Sequence, residues 1–191
     1  AYKPLIPSGS TGIVGFDVGA AVLVNQVRNR DVFAQVAGQD VPATVQYALR
    51  VDKGLPMDLD IGASASKFVG AGLQVLGADL RWAALNERTY LPAVSLRAAF
   101  SQLVGNDQLD LRTVSYDLAL SKTFAFITPY VGLGQVQVSA TPNVAGAQAD
   151  NFNLLRVFGG TSLTLRPMNL VVEVDKTGDA ANLGVKLGLR Y

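Results

Sequence analysis

Along nearly the whole chain, large apolar side chains recur at every second residue, and the charged residues fall in the opposite register. In the last such stretch Leu183, Val185, Leu187, Leu189 and Tyr191 share one face, and Gly184, Lys186, Gly188 and Arg190 share the other, because successive side chains of a strand point to opposite sides. A period of two excludes amphipathic helices as the building unit and makes the protein all-β. It leaves open which solvent each face meets: a packed core, water or lipid.

The alternation divides residues 11–191 into ten strands, near 12–24, 43–52, 57–67, 75–85, 93–103, 113–122, 128–140, 155–165, 170–176 and 183–191. Clusters of Gly, Pro, Asn and Asp separate them, among them a turn expected at Lys53-Gly-Leu-Pro56. Residues 1–10, with two prolines and two serines, read as an extended tail ahead of a barrel domain at 11–191. Two longer connections, 26–41 and 141–152, are expected as loops, the first with some helix. Within 128–140 the apolar residues change register, Val131 and Leu133 being odd and Val136 and Val138 even. A bulge at Gly134 is the expected cause.

The charge count separates the two faces. The apolar faces hold only Lys67, Lys122 and Lys176, each at a strand end; Asp110 and Arg112 join them if the sixth strand begins earlier. The opposite faces collect Asp17, Arg50, Asp52, Asp58, Asp60, Asp79, Arg81, Arg97, Asp117, Arg156, Arg166, Glu173, Asp175, Lys186 and Arg190. A lipid-facing Arg or Lys costs about 2–4 kcal/mol at the bilayer midplane, so a membrane would purge one face of every strand in this way. The polar faces are also rich in Gly, Ala and Ser, as a narrow lumen requires. Strands of about ten residues suit a tilted membrane crossing. Trp82, Tyr90, Phe124, Phe126, Tyr130 and Tyr191 are placed to form an aromatic girdle near the termini. The expected fold is a closed antiparallel up-and-down transmembrane β-barrel of about ten strands, within a range of about eight to twelve. Both termini then share one rim and the two longer loops lie on the other. A soluble barrel with its apolar faces inward, carrying an apolar ligand, is the alternative.

Chemistry is constrained by what is missing. The net charge of +1, with no run of like charges, gives no basis for nucleic-acid binding. Without cysteine there are no disulfides or thiolate metal sites, and without histidine the commonest general base and metal ligand is lost. No catalytic, cofactor or metal residues are assigned, and no enzyme activity is expected. The acidic pairs Asp58/Asp60 and Glu173/Asp175 read as ion-pair partners, and Gly132-Leu-Gly134, inside a strand, opens no phosphate-binding helix. No stretch of about 18 apolar residues provides a membrane helix. Ala1-Tyr-Lys-Pro-Leu-Ile-Pro7 lacks the pattern of a signal peptide, as a cleaved mature end would.

Two stretches carry a resemblance. Thr128-Pro-Tyr-Val-Gly-Leu-Gly134 resembles a TPYxGxG-like strand of small, porin-like bacterial outer-membrane β-barrels. Leu183, Val185, Leu187, Leu189 and Tyr191 resemble the carboxyl-terminal signal read by the barrel-assembly machinery, with Tyr where Phe is usual. The resemblance implies a bacterial outer-membrane location after signal-peptide removal, with membrane lipid and the assembly machinery as partners and a monomer favoured. Fifteen lumen charges, eight acidic and seven basic, lack the single-sign excess of a selective pore. The function expected is either a narrow porin-like channel for small solutes or a closed structural barrel with a charge-paired lumen.

Overall fold

A computed structural model of the protein describes residue 7 and residues 11–26, 43–70, 72–105, 109–142 and 150–191. Ten strands form: β1 (Phe16–Gln26), β2 (Ala43–Leu55), β3 (Leu59–Phe68), β4 (Gln74–Leu85), β5 (Ala93–Val104), β6 (Leu109–Ser121), β7 (Ile127–Pro142), β8 (Asp150–Leu165), β9 (Met168–Thr177) and β10 (Ala180–Arg190). Each pairs antiparallel with its sequence neighbour, and β1 pairs with β10 to close the barrel. Val18 sits opposite Leu189 and Ala20 opposite Leu187, so the terminal strand meets the first as the alternation predicts. Closure leaves no strand edge.

Several boundaries differ from those expected. β2 continues through Lys53 and Gly54 to Leu55, and the turn is Pro56–Asp58, where Met57 and Asp58 take positive φ of 64° and 58°. Gly54 is therefore a strand glycine. It faces inward where the chain at Gly12 crosses it, and a Cβ there would lie 1.9 Å from the Gly12 carbonyl oxygen. β7 and β8 run on to Pro142 and from Asp150, which shortens the expected loop 141–152 to 143–149. Those residues, 27–41 of the other expected loop, and all of the 1–10 tail but Pro7 lie outside the described residues.

The bulge expected at Gly134 is absent. Gly134 pairs with Asp117 on one side and Arg156 on the other within unbroken registers; the register shift lies at Ala84, between Ala83 and Leu85. What changes at Gly134 is the solvent. On its amino-terminal side Val131 and Leu133 point outward and are exposed; beyond it Gln135, Gln137 and Ser139 point outward while Val136 and Val138 are buried inside. Asn151 and Asn153 of β8 and Arg112 of β6 are exposed beside them. A straight strand leaving an apolar medium for water produces the same switch of pattern as a bulge.

The remaining outer wall is apolar. Leu49, Leu80, Leu96, Leu118, Val157 and Leu187 are among its exposed side chains, Leu187 at 54% and Leu49 at 65%. The soluble alternative required these faces to point inward and is overturned. The outward charges stand near strand ends: Lys67, Lys122 and Lys176 as expected, together with Lys53 and the Asp110–Arg112 pair at 2.8 Å, since β6 does begin early. Long side chains there reach the interface. Among the described residues no helix is long and apolar enough to cross a membrane; the strands are what cross. Trp82, Tyr90, Phe124, Phe126 and Tyr191 lie exposed toward the rim of the termini, and Phe16 stacks on Tyr191 with ring centroids 5.4 Å apart. Tyr130, also expected there, is instead buried in the lumen.

Candidate functional site

The inward faces bring twelve of the fifteen anticipated charges into a buried lumen network. They resolve into five clusters. Between the first and last strands, Lys186 Nζ donates to Asp17 Oδ1 at 2.6 Å, while Asn169 Nδ2 donates to the other Asp17 oxygen at 2.5 Å. Arg50 grips Asp52 through Nε and Nη2 at 2.7 and 2.5 Å and reaches Asp79 at 3.0 Å. Arg81 donates to Asp60 at 2.8 Å, and Asp60 also accepts from the Thr11 amide at 3.0 Å. A second Arg81 nitrogen donates to the Pro7 carbonyl, so the segment before β1 is tied into this end of the lumen. Arg97 holds Asp117 at 2.5 and 3.0 Å. Arg156 lies 3.7 Å from Glu173 and 3.9 Å from Asp175, with its guanidinium 5.3 Å from the centre of the Phe158 ring.

This arrangement follows from register. Asp60 pairs with Arg81 and Arg97 with Asp117 as direct cross-strand neighbours; pairs at that spacing reinforce the sheet. In the low-dielectric interior an unmatched charge would be prohibitive, and pairing is what permits so many. Space comes from glycine. A Cβ at Gly62 would lie 2.5 Å from Asp79 Oδ1 and 2.6 Å from Asp52 Oδ1, so the Arg50 cluster occupies the volume a side chain would need.

Tyr130 donates its hydroxyl to Glu173 at 2.8 Å and packs near Phe158. Together with Ala21, Leu23, Ala48 and Val171 these rings form an apolar cluster inside the barrel. These side chains occupy space in the middle of the lumen. Toward the termini lies a polar cavity of about 520 Å³ lined by Thr11, Thr128, Thr164, Arg166 and Arg190 among others. Toward the opposite rim lie cavities of about 370 and 120 Å³, and neither shares a lining residue with the first.

Two anticipated lumen residues are placed differently, and a third lies at the lumen mouth. Asp58 is exposed in the β2–β3 turn, one residue before β3 begins, so its side chain does not enter the lumen. Arg166 is exposed in the β8–β9 turn and only rims the terminal cavity; Arg190 faces inward there, half-buried. Glu173 and Asp175 share Arg156, as the ion-pair reading expected. Sequence reasoning missed Asn169, Tyr130 and Thr11, which are neutral and leave no mark in a charge count. For Asn169 a signal existed: it is a polar residue in register with Glu173 and Asp175 at the start of β9. Leu183, Val185, Leu187, Leu189 and Tyr191 all lie exposed on the outer face of the closing strand or at its end.

No protein-family model matches the sequence, and no curated protein matches it. Solved structures are similar in outline. The outer membrane protein OprG from Pseudomonas aeruginosa shares 11% identity at a TM-score of 0.46, covering 97% of this chain and 99% of its own. The N-terminal β-barrel domain of OprF from the same organism shares 10% at 0.44, covering 94% and 99%. LpxR from Salmonella typhimurium shares 8% at 0.49, covering 90% and 99%. The class of this protein rests on its own geometry: a closed barrel with an apolar exterior and an ion-paired lumen is a transmembrane β-barrel.

Proposed function

We propose that this protein is a non-enzymatic integral barrel of a bacterial outer membrane whose lumen is closed, serving as a structural anchor for what it displays at its rims. The observation that carries this reading is the side-chain packing of the mid-lumen: Arg156, Lys186, Glu173 and Val171 are wholly buried there, and the cavities toward the two rims have different lining residues. Ten-stranded barrels stand nearer the side-chain-filled eight-stranded type than the water-filled pores of about sixteen strands. The porin-like channel would need those ion pairs to part. The absence of histidine supports the non-enzymatic reading. The outward row Leu183, Val185, Leu187, Leu189 and Tyr191 supports recognition by the barrel-assembly machinery, and a barrel closed on itself supports a monomer. Planar-bilayer recording of purified protein tests the closed lumen. No resolvable conductance steps are expected, and steps should appear when Arg156, Tyr130 and Phe158 are all replaced by Ala. Stable steps from the wild-type protein would establish the channel instead.

A further inference from the structure

The lumen is not polar throughout. Above the filled zone, away from the termini, Phe68, Leu111, Val136, Val138, Phe152 and Leu154 line a cavity of about 370 Å³. This volume falls in the range of small-molecule sites, about 300–1,000 Å³. Here the pattern of the barrel is inverted. Past Gln135 the same wall of β7 and β8 shows Gln137, Ser139, Asn151 and Asn153 to the outside, so this end has a polar exterior and an apolar interior, the arrangement of a soluble binding protein. A membrane barrel has no need of apolar side chains inside a wall that has already left the bilayer.

The cavity floor is polar. It is made by Arg156, Asp175, Thr177 and Asn182, and Asp175 accepts from Thr177 at 3.0 Å and from Asn182 at 2.8 Å. Arg156 stands against two carboxylates, Glu173 and Asp175, so the floor holds no surplus positive charge to attract an anion. Asn25 and Thr44 add neutral hydrogen-bonding groups at the wall.

We infer that this cup, on the side of the barrel opposite the termini, is a binding site for a small, uncharged, largely apolar molecule bearing one hydrogen-bonding group. The apolar walls take the body of the ligand, and the amide and hydroxyl groups near the floor orient its polar end. Placement of a few polar groups in an otherwise apolar pocket is what gives such sites their specificity. With the lumen closed below it, as proposed above, the cup is a receptor rather than a passage.

The probe is indole, an uncharged apolar bicycle with one N–H donor, added to protein in bilayer nanodiscs with methyl-labelled Val and Leu. Saturable shifts are expected at Val136, Val138 and Leu154, while the outward Leu133 and Val157 on the same strands shift only linearly as indole partitions into lipid. Leu154→Trp, which fills the cup, should weaken the saturable phase about tenfold or more, and the outward change Gln137→Asp should leave it intact. If Leu154→Trp does not fold, Val138→Asp places a charge in the apolar wall and is expected to weaken binding equally. Indole-3-acetate, the same bicycle with a carboxylate, should bind about tenfold more weakly. The absence of saturable shifts at the cup methyls, or a folded Leu154→Trp or Val138→Asp protein that binds as well as wild type, would overturn the site. Tighter binding of the acetate would overturn the uncharged class.

Discussion

Gly134 of β7 lies directly across from Asp117 of β6, so close that a Cβ at Gly134 would stand 2.2 Å from the Asp117 carboxylate. The Arg97–Asp117 ion pair therefore occupies space that only glycine leaves free. Gly134→Ala should displace that pair and destabilise the barrel by about 1–3 kcal/mol, the usual cost of overpacking. Gly159→Ala is the control, since a Cβ there meets nothing nearer than 3.6 Å. Urea unfolding in micelles compares the two; equal midpoints would mean that the pair is not held as described.

The Lys186–Asp17 pair is wholly buried and joins the first and last strands. Lys186→Met leaves Asp17 with Asn169 alone, and removing one partner of a buried pair costs about 3–5 kcal/mol. The double change Lys186→Met with Asp17→Leu should recover most of that loss. Heat-modifiable migration on gels reads the ranking, and a double variant as unstable as the single one would show that the pair contributes more than mutual neutralisation.

Inside and outside are separated by a charge scan of one sign. Leu187→Arg puts a charge in the apolar belt and should reduce assembly by an amount corresponding to about 2–4 kcal/mol. Gly188 is the adjacent inward position but a poor control, because a Cβ there would press to 2.7 Å on the Val18 carbonyl and 2.9 Å on Asn169. Ser66→Arg is better suited, since Ser66 faces inward and lines a cavity of about 120 Å³ toward the far rim. Equal assembly of both arginine variants in liposomes would invert or abolish the assignment.

At the rim of the termini, Glu87 joins two turns. It accepts from the Thr123 amide at 3.0 and 3.1 Å and lies 3.4 Å from Lys122 Nζ. Burial raises its pKa, but the hydrogen bonds from Thr123 and the nearby Lys122 outweigh it, and the carboxyl titrates below the ordinary glutamate range. A carboxyl whose folded pKa lies below its unfolded one stabilises the fold above the unfolded value and loses that contribution as pH falls through the folded value. The clamp should hold at neutral pH and release only on strong acidification. Carboxyl carbon shifts of Glu87 followed by NMR should show a midpoint below that of free glutamate; an ordinary or raised midpoint would contradict the clamp.

Period-two alternation made the architecture legible, because the described residues of the barrel are strands joined to their sequence neighbours, with no crossover to hide. The charged set was legible for the same reason, since lipid tolerates so little charge outside. The misreadings share a cause: a pattern reports the contrast between two faces and not what each face meets. Val136 and Val138 look like a slipped register when they are an apolar interior above the bilayer. Gly54 looks like a turn when it is making room for Gly12. Tyr130, near a rim, looks like a girdle residue until its hydroxyl is found on Glu173, and Asp58 fails because turn boundaries are weakly encoded where β2 outlasts its expected end.

The central claim is that the apolar faces meet lipid, and the single tryptophan of the chain tests it without any substitution. Trp82 faces outward on β4 toward the rim of the termini, 47% exposed. In bilayers its fluorescence should be quenched strongly by brominated lipid chains and weakly by aqueous acrylamide. Strong acrylamide quenching with no effect of brominated lipid would place this face in water and contradict the account.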